Sequence, residues 1–224
     1  MRRSAALVVC ALGRALAAPL AAQGALQYQA AIVGVGMRVN SQSGPTTQHL
    51  SGTVYGLQGQ LTWLGRITLD LGYWQGKLDP SSGSAASRDV VEGYGLIGAR
   101  PLGWLSLRAG PHAWTYISNA GTQRWLLWEA RAHAQGELLP TMHSYLELWD
   151  VFSAEVNVPQ PFQSGSGGEG GLVLRLRGVP LIPEHLPTRI RLSYGIERVR
   201  MEDAGGVRTE IVDRFSLSLG IESP

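Results

Sequence analysis

Hydrophobic residues alternate with polar or small residues along most of this chain, and this period of two constrains the fold more than any other feature. In one segment, Trp128, Ala130 and Ala132 alternate with Glu129, Arg131 and His133. Successive side chains of a β-strand point to opposite faces of the sheet, so the segment predicts a strand with one apolar and one polar face. Beyond residue 24, no apolar run approaches the roughly 20 residues that a membrane helix needs. We therefore expect an all-β protein.

Ten such segments lie between Leu26 and Ile221. Short turns are expected near Gly65, Pro101 and Pro140, and a ten-residue proline-rich connector over residues 178–187 falls on the same side of the predicted sheet. Longer loops are expected on the opposite side, at about residues 41–48, 79–88, 117–122, 157–169 and 201–207. This layout predicts a single up-and-down antiparallel transmembrane β-barrel of ten strands, with short turns in the periplasm and long loops outside. Eight strands are the alternative, because residues 26–39 and 90–100 have mixed parity.

The first 24 residues resemble an export signal, and residues 25–224 then form the barrel domain. Arg2 and Arg3 precede an apolar run, and small residues around Ala21 and Ala22 offer a cleavage site. The only cysteine, Cys10, lies inside this signal, so the mature chain is expected to contain no disulfide. Without the arginines of the signal, 16 basic residues face 17 acidic ones. No nucleic-acid partner is therefore expected.

Alternation alone does not decide which face of the barrel meets lipid. A soluble periplasmic barrel that binds an apolar ligand would have the same period, with the apolar face inside. A membrane barrel is favoured because the polar face carries glycine, glutamine, serine and a mixture of arginine and glutamate with almost no lysine, as expected for a crowded lumen. The export signal and the alternation of short turns with long loops favour it as well, and charged residues make up only 16% of the chain, against about 25% in soluble domains. Aromatic side chains expected at the two membrane interfaces are Trp63, Tyr73, Trp74 and Trp128.

If the apolar faces meet lipid, many charged side chains point into the barrel. The predicted lumen charge network is Arg108, Glu129, Arg131, His133, Glu137, Glu147, Arg175, Arg177, Arg189, Arg191, Glu197 and Arg214. Eight to ten strands leave a narrow interior, where buried charges must pair. One interpretation is a salt-bridged interior that stiffens the wall. The other is a narrow channel, which would favour anions because arginines outnumber glutamates in this set.

In its strand pattern, export signal and aromatic placement, the chain resembles the small bacterial outer-membrane β-barrel proteins over about nine-tenths of its length. The resemblance implies a Gram-negative outer-membrane protein surrounded by the bilayer and lipopolysaccharide, and inserted by the barrel-assembly machinery. It also implies a non-enzymatic role, either structural or porin-like. The chain departs from the class at its end, where Gly220 to Pro224 lack the usual terminal phenylalanine.

The sequence contains no convincing catalytic motif. An outer-membrane hydrolase that acts on peptide or lipid A at the rim is the alternative from another class, but His143 and Ser144 lie at a short turn on the periplasmic side. Gly165, Gly167 and Gly170 have the spacing of a dinucleotide-binding loop, yet they are expected in a surface loop followed by a strand rather than a helix. Neither a cofactor nor a metal is expected.

Overall fold

A computed structural model describes residues 26–82, 86–119, 121–157, 160–176, 188–203 and 206–223. The predicted signal (residues 1–24), the connector 178–187 and Arg177 lie outside these ranges. The strands are β1 (Leu26–Ser43), β2 (Thr46–Trp63), β3 (Ile67–Ser82), β4 (Arg88–Leu102), β5 (Leu105–Ser118), β6 (Gly121–Leu139), β7 (Met142–Val156), β8 (Phe162–Leu176), β9 (Thr188–Asp203) and β10 (Gly206–Glu222). Among the described residues, no helix is long and apolar enough to cross a bilayer.

Each strand pairs antiparallel with its sequence neighbours, and β10 pairs with β1 to close the barrel. The predicted ten-strand, up-and-down barrel is confirmed. We call the end that carries Leu26 and Glu222 the terminal end; the turns β2–β3, β4–β5 and β6–β7 lie there. The opposite end, with the turns β1–β2, β3–β4, β5–β6, β7–β8 and β9–β10, is the distal end.

The prediction of long loops at the distal end is wrong. Strands of 14 to 19 residues continue through most of the stretches expected to be loops, and β1 joins β2 through only two residues. The predicted loop over residues 157–169 is reduced to five residues, because β8 begins at Phe162. A membrane strand needs only about 9 to 11 residues, so these strands extend beyond a bilayer.

An apolar belt surrounds the outside of the terminal half of the barrel. Ile32 on β1, Phe215 on β10 and Leu217 on β10 point outward and are 59%, 54% and 54% exposed. Other exposed members of the belt are Tyr55, Leu57, Trp63, Leu69, Leu71, Tyr73, Leu107, Trp128, Leu146, Leu148, Leu172, Leu174, Leu192, Tyr194, Ile196 and Leu219. Large apolar patches that remain exposed on a folded protein mark contact with lipid or a partner.

Outward positions of the distal half are mostly polar instead, although Ile117, Phe152 and Val207 are also exposed there. On β2 the outward side changes from Leu57 and Tyr55 to Thr53, and on β9 it changes from Ile196 to Arg198 and Arg200. The corresponding exposed residues on the other strands include Arg38, Gln75, Lys77, Asp89, Arg124 and Asp150. The distal half therefore has a more polar exterior than the terminal half.

The interior of the distal half is largely apolar and tightly packed, and a fully buried carboxylate there, Glu210 of β10, pairs with Arg208 and accepts a hydrogen bond from the Tyr116 hydroxyl. Leu127, Val199 and Met201 are completely buried there. The cluster contains Val33, Val35, Met37, Val39, Leu50, Val54, Leu78, Val90, Trp114, Tyr116, Trp125, Leu127, Val151, Val199, Met201 and Val212, and Phe162 of β8 packs against it. Every strand except β8 contributes at least one member. We call this set the distal core.

Each face of a strand thus changes its solvent preference about halfway along. On β1, Ile32 is outward and apolar, whereas the apolar residues from Val33 to Val39 point inward. On β4, Val90 and Leu96 are buried in the interior while Ile97 is outward. This change of parity explains why residues 26–39 and 90–100 gave no consistent alternation.

Candidate binding cavity in the barrel interior

Below the distal core, the interior carries buried charges, and Glu147 of β7 lies among two arginines and a histidine. Arg131 Nη1 and His133 Nδ1 lie 3.0 and 3.1 Å from its two carboxylate oxygens, and Arg108 Nη2 also donates to it. Arg108 Nη1 reaches Asp70 Oδ2 at 3.0 Å. Inward positions of β3, β5, β6 and β7 converge here. Side chains that are far apart in the sequence therefore form one network of ion pairs.

A second group of buried charges lies between this network and the distal core. His112 Nδ1 lies 2.5 Å from Glu129 Oε1, and His112 Nε2 lies 2.8 Å from Glu92 Oε1. Arg131 Nη2 lies 2.7 Å from Glu129 Oε2, so both oxygens of that carboxylate have a partner. Arg214 Nη2 lies 3.2 Å from Glu92 Oε1.

His112, Glu129 and Glu197 bring three potential metal-ligand atoms within 4.8 Å of one another. The surroundings oppose a cation, because Arg131 contacts Glu129 and Arg214 Nη1 lies 2.8 Å from Glu197 Oε2. Two guanidinium groups already neutralise the carboxylates that a metal ion would need. The geometry is that of an ion-pair network rather than a metal centre.

At the terminal end, three arginines face the interior from β8 and β9. Arg191 pairs with Glu169, whose Oε1 also accepts a 2.6 Å hydrogen bond from the Tyr145 hydroxyl. Arg175 Nε lies 2.9 Å from Glu222 Oε1. The third, Arg189, donates to the side-chain oxygen of Gln29.

These groups line a cavity of about 270 Å³. The cavity extends from residues such as Trp74 and His112, beneath the distal core, to Arg100, Arg175 and Gln135 at the terminal end. Gln135 faces inward yet is exposed, so the cavity reaches solvent at that end of the described barrel. The interior is therefore a polar pocket that is closed on its distal side by packed apolar side chains.

The structure brings together most residues of the predicted lumen network. Arg108, Glu129, Arg131, His133, Glu147, Arg175, Arg189, Arg191, Glu197 and Arg214 occupy inward positions with the partners given above. Glu137 also has inward parity but is exposed at the terminal end. Arg177 lies outside the described residues.

Several acidic members of the interior escaped sequence reasoning. Glu92 lies on the strand of mixed parity, and Glu169 lies in the stretch taken for a loop. Glu222 follows the last predicted segment, and Asp70 is a single acidic residue among threonine and glycine. With these carboxylates included, arginine no longer dominates the interior. The charge argument for an anion-selective channel is correspondingly weaker.

The predicted interface aromatics divide into two groups. Trp63, Tyr73 and Trp128 point outward at 53%, 48% and 39% exposure. The prediction for Trp74 is wrong, because this ring lines the cavity and lies 5.3 Å, centroid to centroid, from Tyr94. Trp74 occupies an inward position next to the outward Tyr73, and adjacent residues of a strand cannot both face lipid.

Neither a protein-family model nor a curated protein sequence matches the chain. Among solved structures, the chain is similar to the outer membrane protease OmpT from Escherichia coli, with a TM-score of 0.56 and 9% identity over 92% of this chain and 99% of that one. It also matches the translocator domain of the autotransporter NalP from Neisseria meningitidis (TM-score 0.44, 11% identity, 98% and 94% covered). A Pseudomonas aeruginosa FadL homologue gives a TM-score of 0.41 at 13% identity, with 88% of this chain and 64% of that one covered. The chain thus has the fold of the small bacterial outer-membrane β-barrels.

Proposed function

We propose that this protein is an integral outer-membrane barrel with a closed bore, and that its role is structural or ligand-binding rather than porin-like or enzymatic. The apolar belt of the terminal half would lie in the bilayer, and the distal half would stand outside it. In this orientation the terminal end faces the periplasm, as expected for a barrel with an even number of strands. Lipopolysaccharide around the belt and insertion by the barrel-assembly machinery belong to the same proposal.

The observation that carries the closed bore is the distal core. Nine of the ten strands supply side chains to it, Phe162 of the remaining strand packs against it, and Leu127, Val199 and Met201 expose no surface to water. A permeating ion would have to lose its hydration among these apolar groups, which costs far more than thermal energy. A narrow anion channel through this packing is therefore not favoured.

The exterior favours a membrane protein over a soluble periplasmic binder of apolar ligands. A soluble barrel would keep Leu217 and Phe215 away from water, whereas here both are about half exposed on the outside. The interior beside them is lined by arginine, glutamine and carboxylate groups rather than by an apolar pocket.

Hydrolysis at the distal rim has little support from the described contacts. His49 is the histidine nearest that rim, and its Nδ1 lies 2.6 Å from the amide oxygen of Asn40 rather than from a carboxylate. His112 has two carboxylate partners but is buried beneath the distal core, where a peptide or lipid A cannot reach it. A general base would need to lie within hydrogen-bond reach of its substrate.

Conductance of the purified protein in planar bilayers tests the closed bore. We expect no discrete openings from the wild type. The double variant Trp125→Ala with Leu127→Ala removes two large side chains from the distal core and is expected to give measurable leak currents. Leu126→Ala, which changes the outward residue between them, is the matched control and should stay silent. Discrete wild-type openings with anion selectivity would contradict the proposal.

A further inference from the structure

Three arginines converge on one corner of the cavity at the terminal end. Arg175 of β8 lies directly across the strand pair from Arg189 of β9, and Arg191 follows two residues later on the same face. Directly opposed residues of neighbouring strands have Cβ atoms about 5 Å apart, and like charges there repel each other. A barrel retains such a pairing at a cost in stability.

The described carboxylates neutralise only part of this charge. Glu222 pairs with Arg175, and Glu169 pairs with Arg191. Arg189 has only the neutral amide of Gln29 as a side-chain hydrogen-bond partner among the described residues. These five charged groups therefore carry one net positive charge.

Space for a ligand exists beside Arg189. Arg189 lines the cavity together with Arg175 and Arg191, and Ser218, the small β10 partner of Arg191, lines it as well. Arg100 lines the same cavity and adds a further positive charge. The cavity volume of about 270 Å³ suits a group of small-metabolite or lipid-headgroup size.

We propose that this corner binds a phosphate group, held by Arg189 together with Arg175 and Arg191. Guanidinium groups bind phosphate oxygens with paired, charge-assisted hydrogen bonds, and several converging guanidiniums suit an anion with several oxygens. The group would belong either to a soluble phosphate ester or to a phospholipid headgroup. Access from the periplasm rests on the orientation proposed above; binding itself does not.

Calorimetric titration of the folded protein in a phosphate-free detergent tests the site, with inorganic phosphate and glycerol 3-phosphate as probes. We expect saturable binding by the wild type. Arg189→Gln should weaken it by about tenfold to a hundredfold, because one charge-assisted contact to a charged group is lost. Arg189→Lys keeps the positive charge but cannot form the bidentate hydrogen bonds of a guanidinium, so it should bind phosphate with intermediate affinity.

Arg198→Gln is the matched control, since Arg198 lies on the same strand but is exposed on the outside. Its binding should equal that of the wild type. Phosphorus NMR of the purified protein distinguishes the two sources: co-purified phospholipid that is lost in Arg189→Gln identifies a headgroup, and its absence together with glycerol 3-phosphate binding identifies a soluble ester. The thermal transition of each variant reports whether it is folded.

The proposal is overturned if the folded wild type binds neither probe and carries no phospholipid, or if Arg198→Gln weakens binding as much as Arg189→Gln does. These outcomes leave the closed bore untouched, because they are measured in detergent without a bilayer. Conversely, discrete channel openings would refute the closed bore without affecting the binding result.

Discussion

Individual charges in this barrel are stable inside because each buried carboxylate meets a guanidinium or an imidazole. Glu147 shows this most clearly, with Arg108, Arg131 and His133 around its two oxygens. Parity predicted that these four side chains share one compartment. Parity also places Asp70 on a polar face, but its pairing with Arg108 could not be predicted, because it depends on the register between strands that are distant in sequence.

Glu147→Gln should destabilise the folded barrel by about 3 to 5 kcal/mol, because Arg108 and Arg131 would remain buried with too few carboxylate partners. The measurement is the denaturant midpoint of unfolding in detergent, followed by tryptophan fluorescence. Glu155→Gln, an exposed position on the same strand, should change stability by less than about 0.5 kcal/mol. Equal midpoints for Glu147→Gln and the wild type would contradict the network.

Among the elements, β8 departs furthest from expectation. The composition of its glycine-rich stretch predicts a loop, yet β8 pairs with β9 along its length and with β7 from Ser166 to Leu174. The reason lies across the strand pair: Gly167 is opposite Trp149, and Gly171 is opposite Tyr145. A Cβ at Gly167 would come within 2.4 Å of the Trp149 ring. The glycines leave room for aromatic rings, a requirement visible only once the strand register is known.

Gly167→Ala should therefore destabilise the barrel by about 1 to 3 kcal/mol, the usual cost of overpacking. The Trp149 ring would have to move, so its fluorescence maximum should shift as well. Gly170→Ala is the control on the same strand, since a Cβ there would find its nearest contact at 3.8 Å. If both variants unfold at the same denaturant concentration, the aromatic–glycine packing does not constrain β8.

For the whole molecule, the central feature is that the apolar and polar faces of the barrel wall change places between the two halves. The terminal half is apolar outside and polar inside, and the distal half is polar outside with an apolar core. Period-two alternation predicts the strands in both halves equally well, which is why the number of strands could be derived from the sequence. The change of apolar parity shows in the sequence only as mixed alternation over residues 26–39 and 90–100, which does not by itself indicate an apolar interior, and so the distal strand extensions were taken for loops and the distal core was missed.

Depth-resolved spin labelling of the protein in bilayers tests this exchange most directly. Labels at Leu57 and Leu217 in the belt should be accessible to oxygen dissolved in the lipid and protected from a water-soluble nickel chelate. Labels at Thr53 and Arg200, outward positions of the same wall in the distal half, should give the reverse. If Thr53 and Arg200 also report lipid, the bilayer covers the whole wall and the division of the barrel into a membrane half and a solvent-exposed half is wrong.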